Sequence, residues 1–160
     1  MPEPISTGPE EGGVSYADFV ARKLLLVQPS GIASKLDLPG SLFPHQDALT
    51  RWALKRGRAA IFADTGLGKM RMELVWADAV RKHTRRPVMI HTPLAVAQQI
   101  AAEGERIGIA VNVCRDGGDV QDGINVINYE RLHRINPADF AGVVLDESSC
   151  IKHHDAKTLR

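Results

Sequence analysis

Two groups of residues in this chain carry recognisable chemistry: a lysine behind a pair of glycines, and two adjacent carboxylates far downstream of it. The first lies in Ala63-Asp64-Thr65-Gly66-Leu67-Gly68-Lys69. Glycines in such a loop let successive backbone N–H groups turn inward around an anion. A helix opening at the lysine adds the partial positive charge of its N-terminus. Lys69 then reaches the β- and γ-phosphates of a nucleotide, with Thr65, Gly66, Leu67, Gly68 and Met70 supplying backbone around them. The general phosphate-loop pattern has Gly where this chain has Ala63, and Ser or Thr where it has Met70. A thioether is a soft ligand and a poor partner for a hard cation. The backbone N–H of Met70 still donates, so binding is expected to suffer less than hydrolysis. The competing reading is an ordinary glycine-containing turn between a strand and a helix.

The second group is Asp146-Glu147, at the end of the apolar run Gly142-Val143-Val144-Leu145. A carboxylate at the C-terminal end of a buried parallel strand is costly unless it has a task, and open α/β sheets bind ligands at those ends. Beside a phosphate loop, such an Asp holds Mg²⁺ and the neighbouring Glu activates the attacking water. By itself, an Asp-Glu pair also fits a strand that simply exits into a polar turn.

These groups need elements to position them, and the apolar pattern supplies an alternating series. A helix is expected from Ser15, its N-cap, to about residue 28, on the spacing of Phe19, Val20 and Leu24. A loop rich in Gly, Ser and Pro follows, to Leu42. The next helix spans about 44–55, burying Ala48, Leu49, Trp52 and Ala53 and ending at Gly57. A strand is expected at 59–63, a helix at 69–82 and a strand at 88–91. Thr92 and Pro93 then open a helix as N-cap and first residue, running to about 107. Strands at 109–113 and 124–127 enclose a polar loop, a short helix covers 129–133, and the last strand is 142–146. Alternation of nearly all-apolar strands with helices predicts an α/β fold, a mostly parallel sheet with helices on both faces. Trp52 and Trp76 are read as core or helix-packing residues.

Composition narrows the classes. The 160 residues give room for one domain with a substantial core. A formal net charge of +1 excludes a polybasic binder, so any nucleic-acid surface must be a local patch. Basic clusters occur at Arg81-Lys82-His83 with Arg85-Arg86, and at Lys152-His153-His154. No apolar run approaches the roughly 20 residues of a membrane span. The first 13 residues lack the basic and apolar regions of a signal peptide, so the expected compartment is the cytoplasm, with no membrane partner. Cys114 and Cys150 have no metal-ligand spacing and read as reduced, buried thiols. His153 and His154 have no metal constellation either.

In order and spacing, these segments resemble the superfamily-two helicases. Ala63 to Lys69 resembles motif I, in which a small residue commonly replaces the first glycine. Leu145-Asp146-Glu147-Ser148-Ser149 is similar to motif II, the DEAD/DEAH-type box, and its extension to Lys152 is similar to the form in Swi/Snf-like translocases. Leu42-Phe43-Pro44-His45-Gln46 sits where these proteins place a Q-type motif. Ile90-His91-Thr92-Pro93-Leu94 resembles motif Ia, and Val126-Ile127-Asn128-Tyr129-Glu130 the segment after it. The likeness is to helicases of phage and prophage type and runs from about Ser15 to the end of the sequence.

This resemblance implies a RecA-like P-loop NTPase lobe over 42–160, preceded by a disordered tail over 1–14 and a helix and loop over 15–41. It implies ATP and Mg²⁺ as cofactors. Lys69 cradles the phosphates, Gln46 reads adenine, Asp146 holds the metal and Glu147 acts as general base. Thr92, Pro93, Asn128 and Tyr129 would touch the sugar-phosphate backbone, and Tyr16 or Phe19 would cover the adenine ring or dock on the core. The expected partners are a nucleic acid, taken as DNA, and a second RecA-like lobe carrying an arginine finger. The sequence ends just after motif II, which implies an incomplete first lobe with negligible turnover on its own. Two alternatives stay open: a truncated, non-catalytic prophage remnant, and the motor lobe of a restriction or remodelling translocase.

Overall fold

The computed structural model describes residues 15, 16 and 29–148. The expected helix after Ser15 therefore lies largely outside the described residues, as do Phe19, Cys150, Lys152, His153 and His154.

Helix α1, Pro44–Arg56, opens on a proline, where a missing N–H goes unmissed. It closes at Gly57, whose φ of 79° suits a residue without Cβ. Ser30, Gly31 and Ile32 donate to the carbonyls of Arg56, Lys55 and Leu54, so the preceding loop binds the last turn of α1. The buried residues of the helix are Gln46, Thr50, Ala53 and Leu54. This face is rotated from the expected one: Ala48 is exposed and Trp52 retains 44% of its surface. Two polar side chains, Gln46 and Thr50, lie on the buried side, and a hydropathy pattern cannot anticipate that. Trp76, by contrast, packs against the core as expected.

Helix α2, Lys69–Thr84, is the central helix; Met72, Leu74, Val75, Ala77, Ala79 and Val80 are buried along it. It is followed by strand β1, Val88–Thr92, helix α3, Ala97–Arg106, strands β2, Val111–Val113, and β3, Ile124–Asn128, and finally β4, Gly142–Leu145. The four strands form one parallel sheet in the order β2-β3-β1-β4. Register is set by pairs such as Ile90 with Val126 and with Val144. From β1 the chain moves to one side for β2 and β3, then returns to the other for β4. The gap between the C-terminal ends of β1 and β4 is therefore the switch point, where ligands of such sheets bind.

The α/β class is met, with three corrections. First, residues 59–63 form no strand; Phe62 is 98% exposed and β4 is an edge among the described residues. A β-favouring run becomes a strand only by pairing, and among the described residues it pairs with nothing. Second, the three described α-helices cover one face. Val88, Ile90, Ile124 and Val126 meet residues of α1, α2 and α3 there. The other face buries Met89, Cys114, Ile127 and Phe140, beside 3-10 turns at Gly117–Asp119, Tyr129–Arg134 and Pro137–Asp139. Third, α3 begins at Ala97, after a turn closed by Val96 N donating to Pro93 O at 2.9 Å. Thr92 is thus the last residue of β1 and not an N-cap. Among the described residues no helix is long and apolar enough to cross a membrane.

Candidate functional site

The phosphate loop arrives at the switch point on the N-terminus of α2. Gly66 has φ 82° and Gly68 φ 75°, left-handed values that side-chain-bearing residues seldom adopt. Leu67 N approaches Asp64 O at 3.5 Å, and Thr65 N donates to the Asp64 carboxylate at 3.0 Å, which tightens the turn. Arg71 N and Met72 N both donate to Gly68 O, at 3.1 and 3.3 Å. The amides of Lys69 and Met70 lie too near the start of the helix to reach a carbonyl within it, so the helix itself offers them no acceptor. The Lys69 ammonium folds back onto the loop, donating to Ala63 O at 2.9 Å and meeting Asp64 O at 3.5 Å. Met70 packs its side chain against the hydrophobic core, away from any role as a metal ligand.

Gln46 reaches this loop from the first turn of α1. Its Oε1 accepts from Phe43 N at 3.1 Å, and its Nε2 donates to Leu67 O at 3.1 Å. The residue is 3% exposed. In this structure its amide faces the loop and not a base.

On the sheet side, Asp146 is held at three points. Its N–H donates to His91 O at 2.9 Å, its carboxylate accepts from the Thr92 hydroxyl at 3.0 Å, and its carbonyl accepts from the Tyr129 hydroxyl at 2.7 Å. Tyr129 lies against the His91 ring, centroids 6.0 Å apart. Glu147 follows with φ 50°, a left-handed value uncommon outside glycine. Burial pushes the Asp146 carboxyl above the ordinary range, reinforced by the Glu147 charge; the Thr92 hydrogen bond and Lys69 act against it.

Sequence reasoning missed Glu73. It stands one turn after Lys69 on α2, a spacing that puts both on one side of the helix, so the signal was present. Burial raises its carboxyl to about 8, helped by Asp146 and Glu147 and opposed by Lys69. Its Oε2 is buried without a hydrogen-bond partner. Lys69, Glu73, Asp146 and Glu147 thus influence one another electrostatically.

The expected nucleic-acid residues are mostly buried. Thr92 is 0% exposed, Asn128 7% and Tyr129 5%, and the Thr92 and Tyr129 hydroxyls are taken by Asp146. The Thr92 hydroxyl braces the carboxylate and the Tyr129 hydroxyl the backbone carbonyl. Asn128 pairs in register with Thr92, and its Oδ1 is buried without a partner. Pro93 is half-buried, and Leu94 beyond it is 65% exposed.

The fit for Mg²⁺ rests on Asp146. Its carboxylate accepts from Thr92 and from the Glu147 backbone, leaving lone pairs for a cation. Among the described residues no group of three or more His, Cys, Asp or Glu is placed to hold a metal. Mg²⁺ is usually bound by one or two carboxylates with the rest of its shell from phosphate and water. No family model matches the chain, and no curated protein is similar to it.

Proposed function

We propose that this chain binds ATP with Mg²⁺ as the first RecA-like lobe of a nucleic-acid helicase or translocase. One observation carries the reading: the helix that opens at Lys69 packs on β1 and β4 of the parallel sheet, and Asp146-Glu147 follow β4 directly. In this reading Lys69 leaves the carbonyls of Ala63 and Asp64 for the β- and γ-phosphates. The amides of residues 65–70 line the same anion. Asp146 would hold Mg²⁺, which supplies charge neutralisation at the phosphates, and Glu147 would take the proton of the attacking water. With methionine at position 70, no side-chain oxygen comes from there, which favours binding over fast hydrolysis.

The nucleic-acid half rests on the motif order and on cations beside the C-terminal ends of the strands. Arg131, His133 and Arg134 lie in the turn after β3, and Arg131 donates to Arg115 O at 2.7 Å, which draws a second arginine to the same edge. Backbone contact through such a patch is independent of sequence and dependent on salt.

Calorimetry with Mg·ATP tests the nucleotide half. Lys69→Ala removes a charge-assisted contact and is expected to weaken binding by about 1.5–3 kcal/mol. Equal affinity for variant and parent would remove the site. A companion titration with DNA is expected to give weak binding that fades as salt rises; tight, salt-insensitive binding would refute the track.

A further inference from the structure

Glu73 is a carboxylate to which the reading above gives no task. It stands on α2 four residues after Lys69 and three after Met70, on the same side of the helix. Helical side chains tilt toward the helix N-terminus, so one as long as Glu73 covers the turn before its own, at the level of Lys69 and Met70. Met72 and Leu74 on either side of it are buried, and its own Oε2 is buried with no hydrogen-bond partner. The Lys69 ammonium is turned to the loop, where it donates to Ala63 O.

The sheet under α2 carries a second oxygen of this kind. Thr92 and Asn128 are register partners, so their side chains leave the same face of the sheet. On that face Val88, Ile90, Ile124 and Val126 share a core with Leu74 and Val75 of α2. The Thr92 hydroxyl holds the Asp146 carboxylate, and Asn128, 7% exposed, has its Oδ1 buried with no partner. Of the charges that act on Glu73, that of Asp146 acts most. Helix and sheet thus each bring a buried oxygen acceptor without a donor to the side of Asp146. Oxygens of this type are satisfied by a hydrogen-bond donor or by a hard cation.

We propose that Glu73 is a second carboxylate ligand of the divalent cation, supplying from α2 the oxygen that methionine at position 70 cannot. The inference rests on the nucleotide-binding reading above and extends its metal site from one carboxylate to two. Two carboxylates in one buried neighbourhood repel each other, and a cation between them turns that repulsion into attraction. A water on the same cation gives Asn128 Oδ1 its donor.

The test uses the full chain. Mn²⁺, which shares the preference of Mg²⁺ for oxygen, is titrated alone and followed by electron paramagnetic resonance. ATP is titrated by calorimetry in excess Mg²⁺ and in EDTA. Glu73→Gln keeps the shape and removes the charge; Glu73→Ala removes the ligand altogether. Both are expected to weaken Mn²⁺ binding about ten-fold or more, at least the loss that follows removal of an outer-shell partner. Both are expected to lower ATP affinity in Mg²⁺ and to leave it unchanged or tighter in EDTA, where the carboxylate only repels phosphate. That split separates a ligand from a structural residue, and it can be read on whichever variant folds.

Unchanged Mn²⁺ affinity in both variants would overturn the proposal. So would ATP affinity lowered equally with and without Mg²⁺. Asp146→Asn and Lys69→Ala are run beside them. If neither Asp146→Asn nor Glu73→Gln weakens Mn²⁺, the metal site itself fails; if Asp146→Asn weakens it and Glu73→Gln does not, only the second ligand fails. Lys69→Ala with undiminished ATP affinity in EDTA would remove the phosphate site on which both rest.

Discussion

Asp146 shows how much of a site's chemistry sits in residues around the reacting group. Its N–H, carboxylate and carbonyl are each fixed by a different partner: His91 O, the Thr92 hydroxyl and the Tyr129 hydroxyl. The last of these bonds precedes Glu147, whose φ of 50° carries a cost that the surroundings must hold in place. Tyr129→Phe keeps the ring against His91 and deletes only the hydroxyl, leaving the Asp146 carbonyl short of a buried donor. The expected loss of stability is about 1–2 kcal/mol, read as a lower denaturant midpoint with unchanged slope. A midpoint equal to that of the parent would mean that the 2.7 Å bond contributes nothing net.

Helix α1 carries the lesson at the scale of an element. Its apolar residues suggest one face and its packing uses another, since Gln46 and Thr50 are buried while Trp52 is 44% exposed. The two faces make opposite expectations for mutation. Leu54, 4% exposed and part of the main core, is expected to lose about 2–4 kcal/mol on change to Ala. Trp52→Ala is expected to cost less than Leu54→Ala despite removing the larger side chain, because nearly half of it is already hydrated. Thermal or urea unfolding of both variants decides; a larger loss for Trp52→Ala would restore the face read from hydropathy. The edge at β4 follows the same logic. The strand is four residues long, and Val143 and Leu145 are 41% and 46% exposed along it.

For the whole molecule, buried ionisable groups give stability a dependence on pH. The Glu73 carboxyl is raised from its ordinary value of 4.5 to about 8, chiefly by burial. A raised carboxyl stabilises the fold below the unfolded value, and that contribution is lost as pH rises from 4.5 towards 8. Burial lowers His91 from 6.5 to about 4, which acts in the other direction: stability is present above 6.5 and lost as pH falls towards 4. The two trends offset each other over the shared interval, and above 6.5 the Glu73 loss is no longer opposed by His91. Without divalent cations, melting temperature is expected to fall between pH 6.5 and 8, and Glu73→Gln to abolish that fall. The variant should gain roughly 1–3 kcal/mol at pH 8. A parent whose melting temperature is level over this range would show that Glu73 is ionised at little cost.

Sequence alone determined the alternation of elements from Lys69 to Leu145, the parallel α/β class and the two groups worth comparing. Local chemistry suffices for these: Pro44 opens α1, Gly57 closes it, Gly66 and Gly68 turn the loop, and continuous apolar runs mark strands buried on both faces. The structure decided what depends on neighbours distant in the chain. Residues 59–63 needed a strand partner and have none among the described residues; Thr92 had a local use as a cap and is instead claimed by Asp146, 54 residues away. Gln46 had a polar side chain free for any purpose until Leu67, 21 residues on, took its amide. Glu73 looks like one more helix-surface carboxylate until the sheet brings Asp146 and Glu147 up to it. A buried polar group takes whichever partner the fold delivers, because leaving it unpaired costs more than forgoing any local bond, and that partner is fixed only when the sheet assembles.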